Sequence, residues 1–599
     1  MTLVQQIKAT SLSALQTLYP DASFDISQIA VNQTKPEFSG HYTVVLFPFV
    51  KSLRCKPNEL GEKLGEYLVQ HTSLFDAHQT VSGFLNLSIK DSVFTNFLLN
   101  HFNDTCYGTA AKNDTRVMVE YSSPNTNKPL HFGHLRNNFL GFAVSNILKA
   151  DGQQVVMANL VNDRGIHICK SMVAWQQFGN GATPESTGIK GDHLVGDYYV
   201  RFNDEYKKQI AALVADGKEQ AVAEKEAPIM QAAQNMLRDW EKGDEKVREL
   251  WSKMNGWVYT GFDKTYARLG ISFDKYYYES ETYLLGKKIV EEGLERGVLF
   301  KKVDGSVWVD LTDEGLDQKL LLRGDGTSVY ITQDLGTAKL KYEEYKLDQS
   351  IYVIADEQNY HMQVLQLIMK KLGEPAWQGI RHLSYGMVEL PSGKMKSREG
   401  TVVDADDMID EMIALAKEQT EAAGKTEGFS AEELQALYEM IGIGALKFYL
   451  LRVEPKKKMI FDPKESIDLH GYTATFIQYA HARICSILRR EDLPLMPDTS
   501  HFQSFSLTEE LTKSEGKLLL ALEQFPEMMK AAAVEYSPSV LCNYAFSLAQ
   551  LFNSFYDDHP IAKAATEEKK NLRLMIIVMT AQVLRHAMKL LGIRLPEKM

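Results

Sequence analysis

The N-terminal part of the chain mixes helical and extended patterns of hydrophobic positions. Leucines in residues 60–68 recur at helical spacing, whereas residues 81–89 alternate apolar and polar side chains as a half-buried strand does. The polar stretch 108–115 that follows is typical of a linker. We therefore predict an α+β domain over residues 1–110, with two or three helices around a short sheet.

The middle of the chain alternates short apolar strands with amphipathic helices. Residues 117–121 and 155–160 indicate strands, and apolar positions from 135 to 147 share one face of a helix between them. Further strand patterns lie at residues 306–310, 328–332 and 351–355. This order predicts a doubly wound, Rossmann-like parallel-sheet domain over residues 111–410, with a charged helical insertion at about 180–256.

The remainder of the chain has almost wholly helical periodicity. Its long periodic segments are residues 441–451, 473–489, 539–556 and 571–591. Several such segments are typical of a helical bundle. We predict a helical connecting region over residues 411–460 and an all-α bundle over residues 461–599, which makes the fold class multidomain α/β.

Composition excludes several classes of protein. The chain has 599 residues, of which 44% are hydrophobic and 24% charged, so it has a globular composition and is too long for one core. No stretch approaches the ~18 consecutive apolar residues of a membrane span, and the N-terminus does not have the pattern of a secretory signal. We therefore expect a cytoplasmic protein with no membrane partner.

Cysteine usage and charge bear on metals and partners. The five cysteines are scattered and never form a CxxC pair, which argues against both a disulfide framework and a zinc ribbon. No zinc is expected. The net charge of −12 would repel a polyanion overall, but a local basic surface would be sufficient for a nucleic-acid partner.

The tetrapeptide His131-Phe132-Gly133-His134 begins the predicted helix directly after a strand and a turn. Two imidazoles one turn apart can donate hydrogen bonds to phosphate oxygens, Gly133 leaves room for a nucleotide, and the helix N-terminus favours anions. Alone, such a tetrapeptide is more often a surface or metal-like coincidence. Its strand–turn–helix context favours an ATP site.

A second motif, GKMKSREG at residues 393–400, is a glycine-flanked loop with three cations, Lys394, Lys396 and Arg398. These cations suit the charge that develops on a pyrophosphate leaving group. A basic loop by itself is usually only solvated. The order and spacing of the two motifs favour a functional pair.

Several segments resemble the arginyl-tRNA synthetase family. The first signature region of that family is similar to EYSSPNTNKPLHFGHLRNN at residues 120–138, and KMKSREGTVV resembles its second signature loop. Landmarks of its N-terminal and anticodon-binding domains are similar to FSGHY (38–42), SGFLN (82–86), QYAHAR (478–483) and LGIRLPEKM (591–599). The resemblance covers essentially the whole chain.

The resemblance implies a reaction in which ATP and arginine form arginyl-adenylate and pyrophosphate, and the arginyl group then passes to the terminal ribose of tRNA(Arg). Mg²⁺ would accompany ATP, and tRNA would be needed for the first step. A monomer is expected.

The resemblance also implies roles for particular residues. ATP would contact His131, Gly133, His134, Met395 and Ser397, and the catalytic cations would be Lys128, Lys394, Lys396 and Arg398. Arginine would be bound by Glu120, Ser123, Asn125, Tyr330, Asp334 and Gln358. Contacts with tRNA would involve Tyr42, Gln478, Arg483, Tyr556 and Met599.

The pair Tyr330 and Asp334 suits a guanidinium, which needs a coplanar carboxylate and an aromatic or amide wall. The two residues are four apart and would share one face if their segment is helical. The alternative is an ordinary capped helix start, where Asp is common. The match of the whole segment TSVYITQDLGTA to the family favours the functional role.

Two positions depart from the family pattern. The class signature KMSKS is KMKSR here, so its fourth-position lysine is displaced or absent, and Lys128 is the residue that the family resemblance offers in compensation. Where the family usually has Gly-Asp-Trp-Gly, this chain has Asn162-Asp163-Arg164-Gly165.

Two alternative functions also fit parts of this sequence. A synthetase for another amino acid, or a smaller nucleotidyltransferase, would share the HxGH motif, but it would not need the Tyr330/Asp334 pair or the terminal domains. A non-catalytic tRNA-binding relative would have lost ATP-site residues, yet both histidines and Gly133 are present.

Overall fold

The N-terminal residues form an antiparallel sheet flanked by helices. The computed structural model describes residues 2–391, 403–424, 426–502 and 510–599. The first elements are α1 (Leu3–Leu18), β1 (Val31–Gln33), β2 (Tyr42–Val45), α2 (Phe47–Leu53), α3 (Pro57–His71), β3 (Phe75–Val81), β4 (Phe84–Ile89) and α4 (Asp91–His101). The strands pair in the order β1-β2-β4-β3.

The stretch 81–89, predicted as one strand, spans a hairpin turn. Ser82 and Gly83 both have positive φ, 48° and 84°, which is the backbone of a tight two-residue turn whose twist matches the strands. β3 therefore pairs with β4 along most of its length, and the sheet is larger than the alternation alone predicted.

The next elements build a parallel sheet. They are β5 (Arg116–Glu120), α5 (Phe132–Ala150), β6 (Gln154–Val161) and α6 (Ile166–Phe178), followed by the insertion helices α7 (Pro184–Thr187), α8 (Gly191–Ala215), α9 (Gln220–Glu226), α10 (Pro228–Lys242) and α11 (Glu245–Leu269). The chain then continues with β7 (Lys275–Tyr278), α12 (Glu279–Thr282), α13 (Leu285–Glu295), β8 (Leu299–Lys301), β9 (Val307–Val309), β10 (Lys319–Leu322), α14 (Tyr330–Tyr345), β11 (Gln349–Ala355), α15 (Asn359–Lys371) and β12 (Ile380–Tyr385).

Strand order places the crevice of this sheet beside β5. The five strands are all parallel and lie in the order β12-β11-β5-β6-β7. The chain leaves β5 toward β6 on one side and returns to β11 on the other, so the topological switch lies between β5 and β11. In open α/β sheets, ligands bind at the carboxyl ends of strands at that point.

Two of the predicted strands do not belong to this sheet. Residues 306–310 contain β9, which lies in a separate antiparallel sheet of order β10-β9-β8. Residues 328–332 form only a bridge at Ser328 before α14 begins at Tyr330. Over only five positions, a run of β-branched and aromatic residues is compatible with a strand and with the start of a helix. The hydrophobic pattern of residues 328–332 therefore could not distinguish the two structures.

The rest of the chain is a helical bundle with one short strand pair. Its elements are β13 (Val388–Glu389), α16 (Ala405–Ala422), α17 (Ala431–Leu451), β14 (Met459–Ile460), α18 (Pro463–Ser466), α19 (Ala474–Arg490), α20 (Lys513–Glu523), α21 (Phe525–Val534), α22 (Pro538–Asp558) and α23 (Glu567–Leu590). Together with the two preceding units, this bundle confirms the predicted multidomain α/β fold class. Among the described residues, α17 alone is long and apolar enough to span a membrane, and 72% of its apolar window is buried inside the protein.

Candidate active site

The turn after β5 has an unusual backbone that side chains hold in place. Ser122 and Ser123 both have positive φ, 72° and 47°, a conformation that costs free energy in residues other than glycine. The Ser122 N–H donates to Asn137 Oδ1 at 2.6 Å, and the Ser123 N–H donates to Asn159 Oδ1 at 3.1 Å. These buried amides fix the turn at the carboxyl end of the strand.

The two HxGH histidines are neutral hydrogen-bonding groups. His131 caps α5, its N–H donates to His134 Nδ1 at 3.0 Å, and the two rings lie 3.8 Å apart between centroids. Burial, with Lys128 nearby, lowers the pKa of His131 to about 4, and burial lowers the pKa of His134 well below its usual range. Because Nδ1 of His134 is an acceptor, its proton lies on Nε2, which can donate to a ligand.

Gly133 makes room for His131 rather than only for a nucleotide. A Cβ at position 133 would lie 3.0 Å from Cε1 and 3.1 Å from Nδ1 of the His131 ring. That Nδ1 is buried and has no hydrogen-bond partner among the described residues. The glycine therefore permits the ring orientation that leaves a nitrogen free for a ligand.

A buried ion pair lies at the end of β5. The carboxylate of Glu120 pairs with the ammonium of Lys341, whose side chain is 1% exposed, and Lys341 Nζ lies 4.7 Å from the ring centroid of Tyr352. Burial opposes the charge of Lys341, but Glu120 and Tyr352 outweigh it and raise the pKa of the lysine. Sequence reasoning missed Lys341, although it lies seven residues after Asp334 on the same face of α14.

Asp334 lies one turn into α14, where His361 holds its carboxylate. His361 Nε2 lies 2.6 Å from Asp334 Oδ2, and this hydrogen bond raises the pKa of His361. The Tyr330 side chain, in contrast, is 79% exposed. The segment is helical, which is the condition under which the two residues would share a face, but of the two only Asp334 lines the site cavity.

A second carboxylate, Glu279, is electrostatically coupled to Asp334. The pKa of Glu279 is raised to about 7, and burial is the largest cause. The charges of Asp163 and Asp334 raise this pKa further, whereas the charge of Arg164 and a hydrogen bond with Gln333 lower it. Sequence reasoning missed this residue. Its position directly after β7, at the carboxyl edge of the sheet, was the available signal.

One cavity of about 450 Å³ lies at the switch between β5 and β11, and Glu279 is not in its lining. Of the residues predicted for the site, those that line it are Glu120, Ser123, His131, Gly133, His134 and Asp334. Asn125, Lys128, Tyr330 and Gln358 are not in its lining. Lys394, Met395, Lys396, Ser397 and Arg398 lie outside the described residues.

Arg164, which departs from the family pattern, occupies an aromatic and acidic pocket. Its Nη2 lies 2.7 Å from Glu241 Oε1, and its guanidinium carbon lies 3.9 Å from the ring centroid of Tyr283 and 5.3 Å from that of Trp240. Arg164 also lowers the pKa of Glu279. Neighbouring Asp163 accepts from the Ser280 N–H and hydroxyl, at 2.8 and 2.7 Å.

The chain that follows the second signature loop is anchored to the HxGH segment. The Phe132 N–H donates to Val403 O at 2.9 Å, and the Ala405 N–H donates to Leu130 O at 3.0 Å. In the part of the chain that the structure describes, Asp192, His193 and Asp406 form one group with metal-ligand spacing. The ammonium of Lys190 already lies within 2.9 Å of both carboxylates, so the group is a set of ion pairs.

The residues predicted to contact tRNA divide into buried and accessible side chains. Tyr42 is 2% exposed and donates to Glu523 at 2.7 Å, and Gln478 is fully buried and donates to two backbone carbonyls. Neither presents a surface to RNA in this structure. Arg483 is partly exposed, with its guanidinium 5.6 Å from the ring centroid of Tyr556, and Tyr556 and Met599 are also partly exposed.

Family models match almost the whole chain. Residues 95–462 match the class I (R) tRNA synthetase catalytic domain, residues 477–599 match the DALR anticodon-binding domain, and residues 3–89 match the arginyl-tRNA synthetase N-terminal domain. The chain is 49% identical over 603 residues to the arginine–tRNA ligase of Bacteroides thetaiotaomicron and 48% identical over 606 residues to that of Porphyromonas gingivalis. Each of these alignments covers both chains completely.

Solved structures share the fold. The arginyl-tRNA synthetase of Thermus thermophilus matches with a TM-score of 0.81 at 24% identity, over the full length of both chains. That of Plasmodium falciparum matches with a TM-score of 0.78 at 20% identity, over 100% of this chain and 99% of the other.

Proposed function

This chain belongs to the arginyl-tRNA synthetase family, and on that basis we propose which of its side chains perform the reaction. The enzyme activates arginine with ATP to arginyl-adenylate and transfers the arginyl group to the terminal ribose of tRNA(Arg) for protein synthesis. One observation supports the assignment of the site: a single cavity is lined both by the HxGH histidines and by Asp334.

ATP is assigned to the α5 end of this cavity. His131 Nδ1 and His134 Nε2 contact the nucleotide as neutral groups, because burial keeps both pKa values low. Positive charge toward the phosphates must then come from other residues. Lys128 is close enough to both histidines to lower their pKa values, and it is our candidate for that cation alongside Lys394, Lys396 and Arg398.

Arginine is assigned to the α14 end. We place its guanidinium between Asp334, which lines the cavity, and Glu279, whose pKa Asp334 helps to raise, because two carboxylates suit a planar, permanently charged fork of donors. Glu120, Ser123 and Asn125 are placed at the backbone end of the amino acid, with Tyr330 and Gln358 as outer walls. Catalysis is then positioning and electrostatic stabilisation of attack by the substrate carboxylate on the α-phosphate, and it needs no protein nucleophile.

Mg²⁺ is proposed to enter with ATP as part of the substrate. The carboxylates in the described lining, Glu120 and Asp334, are already engaged by Lys341 and His361, so the phosphates themselves are the better ligands for a hard cation.

A monomeric, cytoplasmic enzyme without zinc completes this proposal. Size-exclusion chromatography with light scattering tests the oligomeric state.

Contact with tRNA is proposed for Arg483, Tyr556 and Met599. The exposed part of an arginine between aromatic rings suits stacking on unpaired bases. Arg483→Ala should raise the KM for tRNA(Arg), whereas Arg490→Ala, an exposed control at the end of the same helix, should leave it unchanged.

The decisive experiment is arginine-dependent ATP–pyrophosphate exchange, with and without tRNA(Arg). His131→Ala and His134→Ala should depress exchange far more than they weaken arginine binding, while His71→Ala on α3 should have no effect. Unchanged exchange in both active-site variants would refute the assigned ATP site. Activity with another amino acid and not with arginine would refute the substrate.

A further inference from the structure

A second, larger cavity lies apart from the active site. Its volume is about 1010 Å³, and it is a partly open cleft lined by residues 105, 106 and 109, the C-terminal half of α5, the end of α11, the middle of α17 and the end of α23. It shares no lining residue with the active-site cavity. The catalytic domain, the helical insertion and the C-terminal bundle therefore all contribute walls to it.

The lining of this cavity carries more basic than acidic side chains, although the chain as a whole has a net charge of −12. One acidic side chain, Glu439, faces six Lys and Arg side chains, which are Lys149, Arg268, Lys447, Arg585, Lys589 and Arg594. A cationic concavity in an acidic protein concentrates field and attracts anions locally.

Some of these cations already have partners within the protein. Lys149 lies 3.7 Å from Asp274 Oδ2, Arg268 lies 2.5 Å from Asp410 Oδ1, and Arg585 lies 3.2 Å from His481 Nε2. Lys447 is buried and donates to two backbone carbonyl oxygens, each at 2.6 Å.

Two cations remain available. Lys589 and Arg594 are both exposed, and within the described residues their side chains form no ion pair or hydrogen bond. Lys589 lies in the last turn of α23, where a cation is stabilised by the helix dipole. Arg594 lies beyond the end of α23, so the helix dipole does not stabilise its charge.

A buried polar group of the cavity also has no partner among the described residues. Gln582 is 8% exposed, and neither its Oε1 nor its Nε2 has a hydrogen-bond partner among the described residues. A buried amide with both ends unpaired is costly unless a ligand completes it. Apolar walls formed by Phe142, Met440 and Ile593 stand beside it.

We propose that this cavity binds a nucleoside polyphosphate at a site separate from the active site. Arg594 and Lys589 would hold the phosphates, because a guanidinium fork and an ammonium are the usual protein partners of phosphate oxygens. Gln582 offers one donor and one acceptor to a base or ribose, and the apolar walls cover the ring. The volume is ample for one such ligand.

The test is calorimetric titration of the full-length enzyme with GTP, which avoids the ATP requirement of the active site, and with inorganic tripolyphosphate. GTP should bind more tightly than tripolyphosphate, because the walls and Gln582 add contacts. Lys589→Ala/Arg594→Ala should weaken GTP binding by at least about tenfold. The charge-preserving Lys589→Arg/Arg594→Lys should retain most of it, and Lys563→Ala, an exposed lysine on the same bundle, should change nothing.

Arginine-dependent exchange, measured in every variant, reports separately on the active site and on correct folding. Absence of GTP binding to the wild-type enzyme, equal affinity for GTP and tripolyphosphate, or undiminished GTP binding by the alanine double variant would each overturn the proposal. A tenfold loss of tRNA(Arg) affinity with unchanged GTP binding would overturn it too, since the surface would then belong to the tRNA.

Discussion

The ammonium of Lys190, just before α8, lies 2.7 Å from Asp406 Oδ2, in the first turn of α16. Asp192 accepts from the same ammonium at 2.9 Å, and His193 Nε2 lies 3.3 Å from the same Asp406 oxygen. Residues 403–405 also pair with the HxGH segment. The insertion is thereby joined to the chain that directly follows the second signature loop, close to the two HxGH histidines.

Asp406→Asn should therefore impair catalysis through positioning. The substitution removes one charge from an ion-pair group whose members are largely buried, and the anchored segment should shift relative to the ATP site. We expect kcat of ATP–pyrophosphate exchange to fall by about tenfold or more, with the KM for arginine within about twofold of wild type. Asp410→Asn on the same helix is the control, because that carboxylate is 66% exposed. Equal effects of the two substitutions would contradict this role.

Gly133→Ala should act on the His131 ring. The new Cβ would approach that ring to 3.0 Å and force it to turn, whereas a Cβ at Gly256 in α11 would meet nothing within 4 Å. We expect Gly133→Ala to lower kcat for exchange while arginine binding, measured by calorimetry, is retained. Gly256→Ala should leave activity unchanged and raise the free energy of unfolding by up to about 1 kcal/mol. Wild-type kcat in Gly133→Ala would contradict the steric argument.

Arginine binding should depend on pH through Glu279. The pKa of this carboxyl is raised to about 7, so it gains its negative charge as the pH rises through neutrality, while the guanidinium stays cationic throughout. Binding should therefore tighten by up to about tenfold between about pH 6 and pH 8. Glu279→Gln should bind arginine weakly at every pH and lose this dependence. A wild-type pH profile in Glu279→Gln, followed by calorimetry, would assign the titration to another group.

The sequence patterns predict those site residues that lie near one another in the chain. They miss pairs of residues that are far apart in the chain and meet only in the fold. His131 and His134 are one turn apart at the start of a helix whose periodicity is readable, so that element could be predicted. The segment that leads to Asp334 has a strand pattern at residues 328–332, and only the family resemblance indicated a role for this carboxylate. Lys341 and Glu120 are 221 positions apart, and only the pairing of β5 with β11 and the packing of α14 bring them together. A single lysine in a helical pattern is normally exposed, and nothing local distinguishes this one.

That buried pair gives a stability prediction. Lys341→Met leaves the carboxylate of Glu120 in the interior without its cation, and breaking a buried pair on one side costs about 3–5 kcal/mol. The denaturation midpoint should fall clearly, and the KM for arginine should rise because Glu120 adjoins the substrate site. Lys339→Met, two residues earlier on α14, removes an ammonium that is 25% exposed and pairs with Glu292 and Glu374, so it should cost less than about 1 kcal/mol.

A second substitution separates charge from packing. Adding Glu120→Gln to Lys341→Met removes the uncompensated carboxylate, so the double variant should recover part of the lost stability even though it differs more from the wild type. Arginine binding should not recover, because the substrate loses its carboxylate neighbour in either case. The contrary outcome is a double variant whose free energy of unfolding is lower than that of Lys341→Met. In that case the single variant loses stability because the lysine side chain is missing, and not because a charge is left on Glu120.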